Sequence, residues 1–215
     1  MTIGEIKIAT LKLMFTNYSD KIAATDGNGN DNIVNLEEDP EYGSFLVNMN
    51  EAINRGLQRI SMVGALPTKS FVIQSNSTTR NIRFDLKTIE DYGTLIRVIK
   101  ESPDTYFANV PYVREETGVI RLDALRDDET YRIIYRPKIA VVKRDTPNDR
   151  ELGIPDDLAS ILPYFVKADL FEEEEPQLAA KARNLFEQMI FDRVEEFDGH
   201  QQSVVSIYGD YQCYE

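Results

Sequence analysis

The stretch whose residue types and spacing come nearest to a chemical site is DGNGNDNIVNLEE, Asp26 to Glu38. A twelve-residue EF-hand loop takes oxygen ligands at its first, third and fifth positions, a glycine at the sixth for a sharp turn, and a bidentate glutamate at the twelfth. Counted from Asp26, the early ligands fall on Asp26, Asn28 and Asn30, the apolar eighth position on Ile33 and the twelfth on Glu37. The sixth is Asp31, which enters a left-handed conformation at a cost that glycine avoids. The second helix of such a loop should start near Asn35 to Asp39, and Pro40 blocks it. No second loop pairs with this one. The stretch therefore reads as an exposed connection between two helices, with a Ca2+ site, or a wider ligand-binding module, as the alternative.

Other chemistry has thinner footing. A nucleophile of the Ser/His/Asp type needs a base, and the single histidine is His200, in a polar stretch near the end of the chain. Cys213 has no scaffold around it to lower its pKa. No Gly-rich phosphate loop, nucleophile elbow or Cys/His metal cluster occurs. Glu172 to Glu175 are consecutive, so on a helical path they point around the axis rather than converge on an ion. The later ones are well placed to precede a helix N-terminus. A carboxylate-based enzyme such as a glycosidase would want a tryptophan to stack a sugar, and the chain has none. No catalytic, cofactor-binding or metal residues are expected. The expectation is a protein that works through its surfaces.

The chain has 215 residues, 42% hydrophobic and 28% charged, in the ordinary range for globular proteins. One cysteine excludes an internal disulfide and fits assembly in a reducing cytosol. No apolar run approaches a membrane span, and the first fifteen residues lack the apolar heart of a signal peptide. The net charge of −13 is unevenly spread. Residues 1–65 carry −4, residues 66–144 carry +3, and residues 145–215 carry −12. An acidic surface repels phosphate, which argues against tightly bound DNA or RNA.

The elements that must position these residues follow from periodicity. Ile3, Ile6, Ile8, Leu11, Leu13, Met14 and Phe15 predict a first helix over 3–16. Phe45, Leu46, Met49, Ile53, Leu57 and Ile60 form the stripe of a second, with Arg55 and Arg59 one turn apart on its other side. From Thr68 the period becomes two, as in RNIRFDLK. KSFVIQS, TLIRVIK, TYFANVPYV, GVIRLDAL and TYRIIYRPKIAVVKR predict further strands, with Pro111 and Pro137 at edges or bulges. GIPDDLASILPYFVKADLF predicts a third helix on Leu158, Ile161, Leu162, Phe165, Val166 and Leu170, capped by Asp156 or Asp157 and kinked or started at Pro163. A fourth begins at Pro176, its stripe running through Leu178, Ala182, Leu185, Phe186, Met189, Ile190, Val194 and Phe197. The expected fold is α+β: a bundle of about four helices with a small antiparallel β sandwich or barrel inserted. Its parts are residues 1–66 (helical), 67–144 (β), 145–198 (a helical hairpin completing the bundle) and 199–215 (an extended, partner-binding tail).

Three segments carry a likeness. TIGEIKIATLKLMFTNYSDKI, EDPEYGSFLVNMNEAINRGLQRI with the following LPTKSFVI, and ELGIPDDLASILPYFVKADLFEEEEPQLAAKARNLFEQMI resemble the head–tail connector, or neck adaptor, proteins of tailed bacteriophages. The resemblance implies a virion protein without catalytic residues, assembled in the bacterial host cytoplasm. It implies a homo-oligomeric ring, often of twelve subunits, docked beneath the portal protein. A downstream neck or tail protein binds its other face, and genomic DNA passes through without tight binding. No membrane is involved. The Asp26–Asp39 loop and the tail beyond Phe197 lie outside the likeness.

Overall fold

A computed structural model describes residues 1–15, 42–74, 81–101, 108–123 and 130–209. The loop Asp26 to Glu38 and Cys213 lie outside the described residues. The chain is a mixed α+β protein whose backbone divides into two compact units, one of Met1–Ala65 with Ala140–Glu215 and one of Leu66–Ile139.

The first unit contains four helices among the described residues: α1 (Ile3–Met14), α2 (Gly43–Met62), α3 (Asp156–Leu170) and α4 (Pro176–Gly209). Helix α1 starts with a reciprocal capping box between Thr2 and Glu5. Its next free amides are taken by backbone, Ile3 N–H donating to Arg150 O and Gly4 N–H to Asn148 O. At its other end Lys167 Nζ donates to Leu13 O at 2.6 Å, supplying both a donor and a favourable charge to a helix C-terminus. The apolar stripe of α1 is noisy in sequence because nearly every side is covered, down to Lys7 and Thr10.

Helix α3 is central, with α1, α2 and α4 each packing on it. Leu158, Ala159, Leu162, Pro163, Phe165, Val166 and Ala168 are buried around its circumference, as in a helix with neighbours on several sides. It neither starts nor stops at Pro163, which sits inside it and is buried. The expected caps are also displaced: Pro155 holds the N-cap position, and Asp156 and Asp157 occupy the first turn, where their charge suits the helix dipole. Tyr42, Phe15, Phe45 and Phe171 form, in that order, an edge-to-face chain with successive centroids 5.1, 5.6 and 6.3 Å apart. The two flanks of segment 16–41, Phe15 and Tyr42, thus meet in ring contact.

Two expectations for α4 are corrected. Its buried stripe is Ala179, Ala182, Phe186 and Ile190, whereas Leu178 and Leu185 are 42% and 39% exposed. Apolar residues surround this helix on more than one side, but it has one principal neighbour, α3. Residues 199–209 of the expected tail are not extended, since the helical backbone continues to Gly209, and residues 210–215 lie outside the described residues. Nothing there carries a stop signal. Gly199 alone costs about 1 kcal/mol against alanine, and no proline follows.

The second unit is antiparallel β structure. Its strands are β1 (Lys69–Gln74), β2 (Asn81–Asp85), β3 (Tyr92–Glu101), β4 (Ala108–Asn109), β5 (Tyr112–Glu116), β6 (Val119–Asp123) and β7 (Thr130–Pro137). One sheet has the order β1-β7-β3-β4 and the other β2-β6-β5. Alternation on β7 buries Tyr131, Ile133 and Tyr135. These join Leu95 and Val98 of β3 and Ile120 and Leu122 of β6 in one apolar cluster. Pro111 separates β4 from β5, splitting the stretch expected to be one strand, and Pro137 ends β7. The following residues Ala140 to Arg144 belong to the helical unit, not to the strand expected there.

Candidate functional site

In the helical unit the polar constellation is built on the turn-spaced pair Arg55 and Arg59 of α2. Arg55 grips Asp169 of α3 in a fork, Nε to Oδ1 at 3.1 Å and Nη2 to Oδ2 at 2.5 Å. Arg59 does the same to Glu187 of α4, at 2.9 and 2.7 Å. Arg183 brings a second cation to Asp169, its Nη2 being 3.9 Å from Oδ1. Its guanidinium also lies 4.1 Å from the centroid of Phe165. The Asp169 side chain is only 10% exposed, so the fork replaces much of its lost hydration. Asp169 and Glu187 hold the Arg55 and Arg59 guanidinium groups above their ordinary pKa through these hydrogen bonds. Both oxygens of each carboxylate are engaged by a guanidinium, which ties α2 to α3 and to α4.

Two asparagines on the same helix do similar work. Asn50 Nδ2 donates to Lys143 O at 3.1 Å. Asn54 donates to Val142 O at 2.7 Å and accepts from Val142 N–H at 2.8 Å. A side-chain amide thereby pairs with the backbone as a strand would, holding the segment that follows the β unit.

In the β unit, Asp91 accepts from Lys69 Nζ at 2.5 Å and from the Tyr135 hydroxyl at 2.7 Å. Its backbone carbonyl accepts from Lys138 N–H. The Lys69 and Tyr135 hydrogen bonds lower the pKa of Asp91. Burial, and then the bond to Asp91, pushes Tyr135 up to about 12. A general acid or base works best with a pKa near the operating pH. This trio is tuned the other way, with the carboxyl held ionised and the phenol held protonated.

A cavity of about 600 Å3 lies in the same unit, lined by residues of β3, of the β5–β6 hairpin, and by Leu86 and Lys87. Gly118, at φ 90°, makes the hairpin turn, and its carbonyl accepts from Leu86 N–H at 2.7 Å. A Cβ on Gly118 would come within 3.0 Å of the Lys87 side chain, which lies along it.

The residues singled out in the sequence are not brought together. Glu172 to Glu175 form an exposed turn between α3 and α4, and Glu175 O accepts from Ala179 N–H in the first turn of α4. His200 lies on the helical backbone of α4. Among the described residues no three His, Cys, Asp or Glu side chains are grouped so as to hold a metal ion. No helix among them is long and apolar enough to cross a membrane. Asp169, Glu187, Asn54 and Asp91 were missed by sequence reading. The one available signal was the turn spacing of Arg55 with Arg59 and of Asn50 with Asn54. No protein-family model matches this chain, and no curated protein matches its sequence.

Proposed function

We propose that this protein is a head–tail connector adaptor of a tailed bacteriophage, a virion structural protein forming a ring between the portal and the next neck or tail component. The fold behind this reading is a four-helix bundle interrupted by a small β sandwich. One observation carries it. The three segments that resemble neck adaptors are far apart in sequence, yet apart from LPTKSFVI, which opens the β unit, they supply α1, α2 and the α3–α4 hairpin of a single helical unit, with the β strands lying between α2 and α3 in the chain. Supporting observations concern the surface. Val47, Met62, Leu178, Leu185 and Phe191 are exposed apolar residues on α2 and α4, suited to contacts with neighbouring subunits.

The acidity of residues 145–198 suits a channel wall along which DNA slides without being gripped. Reversing the charges of Glu172 to Glu175 should change DNA retention in assembled particles, and unchanged retention would sink the channel-wall assignment. Residues 199–215 are assigned as an arm that docks on the neighbouring neck protein, so deleting them should abolish docking while leaving the subunit folded. The reading as a whole is tested by removing the chain from the phage that encodes it. DNA-filled heads and separate tails are expected, and normally tailed particles would overturn it.

A further inference from the structure

Among the described residues, strand edges are open on both sides of the cavity of the β unit. Strand β3 pairs with β7 along one side. Among the described residues its other side is paired only near its end, where β4 meets Ile99 and Lys100 and Val110 N–H donates to Val98 O. Between Tyr92 and Arg97 no described strand lies beside that side. Leu95 N–H turns instead to the hydroxyl of Tyr92, at 3.0 Å. Among the described residues strand β5 likewise pairs only with β6. The cavity lies against both, touching Tyr92 to Leu95 on one side and Arg114 with Glu116 to Ile120 on the other.

Its chemistry is uneven. Leu86, Leu95 and Ile120 are buried and give it an apolar floor. Lys87 and Arg114 supply two exposed cations. Among the described residues neither has a carboxylate partner; Arg114 meets only the Tyr112 ring, 6.0 Å from its centroid. The one carboxylate in the lining, Glu116, is paired with Arg83 at 3.3 Å. The two bulges that flank the gap, between Tyr92 and Thr94 and between Arg114 and Glu116, interrupt pairing at the cavity wall.

We propose that this gap receives an extended acidic peptide segment of a partner protein, added beside β3. Open strand edges supply main-chain hydrogen bonds to an incoming strand, while side-chain pockets select its sequence. Here the pocket asks for a carboxylate facing Lys87 and Arg114 and an apolar side chain on the Leu86–Leu95–Ile120 floor. The volume falls within the roughly 300–1,000 Å3 of ordinary binding cavities. The proposal stands on the β unit alone and does not depend on the adaptor reading.

The test uses the full chain, labelled with nitrogen-15, titrated with the peptide acetyl-VELEV-amide and with acetyl-VQLQV-amide. The acidic peptide should shift the amides of Gly93, Thr94, Leu95 and Gly118 saturably. The glutamine peptide should bind about tenfold more weakly, as should the acidic peptide to Lys87→Ala or Arg114→Ala, since each loses a charge-assisted contact. Both cations are exposed, so these variants should keep the parent spectrum elsewhere. No shift at the four amides, equal binding of the two peptides, or full binding by both variants would each overturn the proposal.

Discussion

Replacing Gly56 by alanine probes the contact that seats α2 on α3. A methyl group at this position would lie 2.9 Å from Leu162 Cδ2 and 3.1 Å from Phe165 Cδ1. Neither neighbour is free to retreat. Leu162 is fully buried, and the Phe165 ring is held edge-on by Phe186 at 4.9 Å and faced by Arg183 at 4.1 Å. Two effects of opposite sign compete. Alanine in a helix interior is worth about 1 kcal/mol over glycine. Overpacking a filled core costs about 1–3 kcal/mol. With two clamped neighbours the clash should win, leaving a net loss of about 1 kcal/mol, or about 0.5 M in the urea midpoint for an m-value near 2 kcal/mol/M. Urea unfolding followed by circular dichroism measures it. Leu162→Ala alone should cost about 2–5 kcal/mol. Because it vacates the space the new methyl needs, the double variant should be about 1 kcal/mol more stable than the summed single effects. A rise in midpoint for Gly56→Ala, or strict additivity in the double variant, would refute the close-packing argument.

Asp169→Asn leaves the half-exposed Arg55 and the partly buried Arg183 without their shared carboxylate, and should lower stability by about 1–2 kcal/mol in the same assay, discounted for solvent screening. Asn54→Ala strips both partners from the backbone of buried Val142, at about 1–3 kcal/mol, and should speed hydrogen exchange at the Val142 amide. Tyr135 should ionise near 12 in an absorbance titration at 295 nm, against an ordinary 10.0, and Asp91→Asn should bring it down. Because the folded value is raised, its stabilising contribution is complete below pH 10.0 and lost as the pH climbs through about 12. Asp91 is depressed below 3.8, so its contribution is present above that pH and lost as the pH falls through the lower folded value. Acid and alkaline unfolding of wild type and Asp91→Asn will therefore diverge at both extremes if the hydrogen bonds are as described.

Where local order dictates structure, the residues announced it. The stripe from Leu46 to Ile60 and the alternation of Tyr131, Ile133 and Tyr135 each need only their own segment to be read, and each is buried as its period requires. Legibility fails where the outcome depends on what lies opposite. Leu178 and Leu185 have the same apolar character as Phe186, but α3 covers one side of α4 and leaves theirs exposed. Arg55 and Asp169 are 114 positions apart, and nothing in either neighbourhood selects that carboxylate from the others in an acidic chain. The cavity is the extreme case. It is made by a strand, β3, whose side away from β7 is unpaired before Val98 among the described residues, by bulges in β3 and β5, and by a lysine lying along a glycine. Each of these is a relation between segments, and the most conspicuous of them, the side of β3 left unpaired before Val98 among the described residues, is the absence of one. A motif is a statement about neighbours in sequence. A surface that works by what it leaves unpaired has no such neighbours to quote, so its residues, Lys87 and Arg114, pass in the sequence for two ordinary exposed cations.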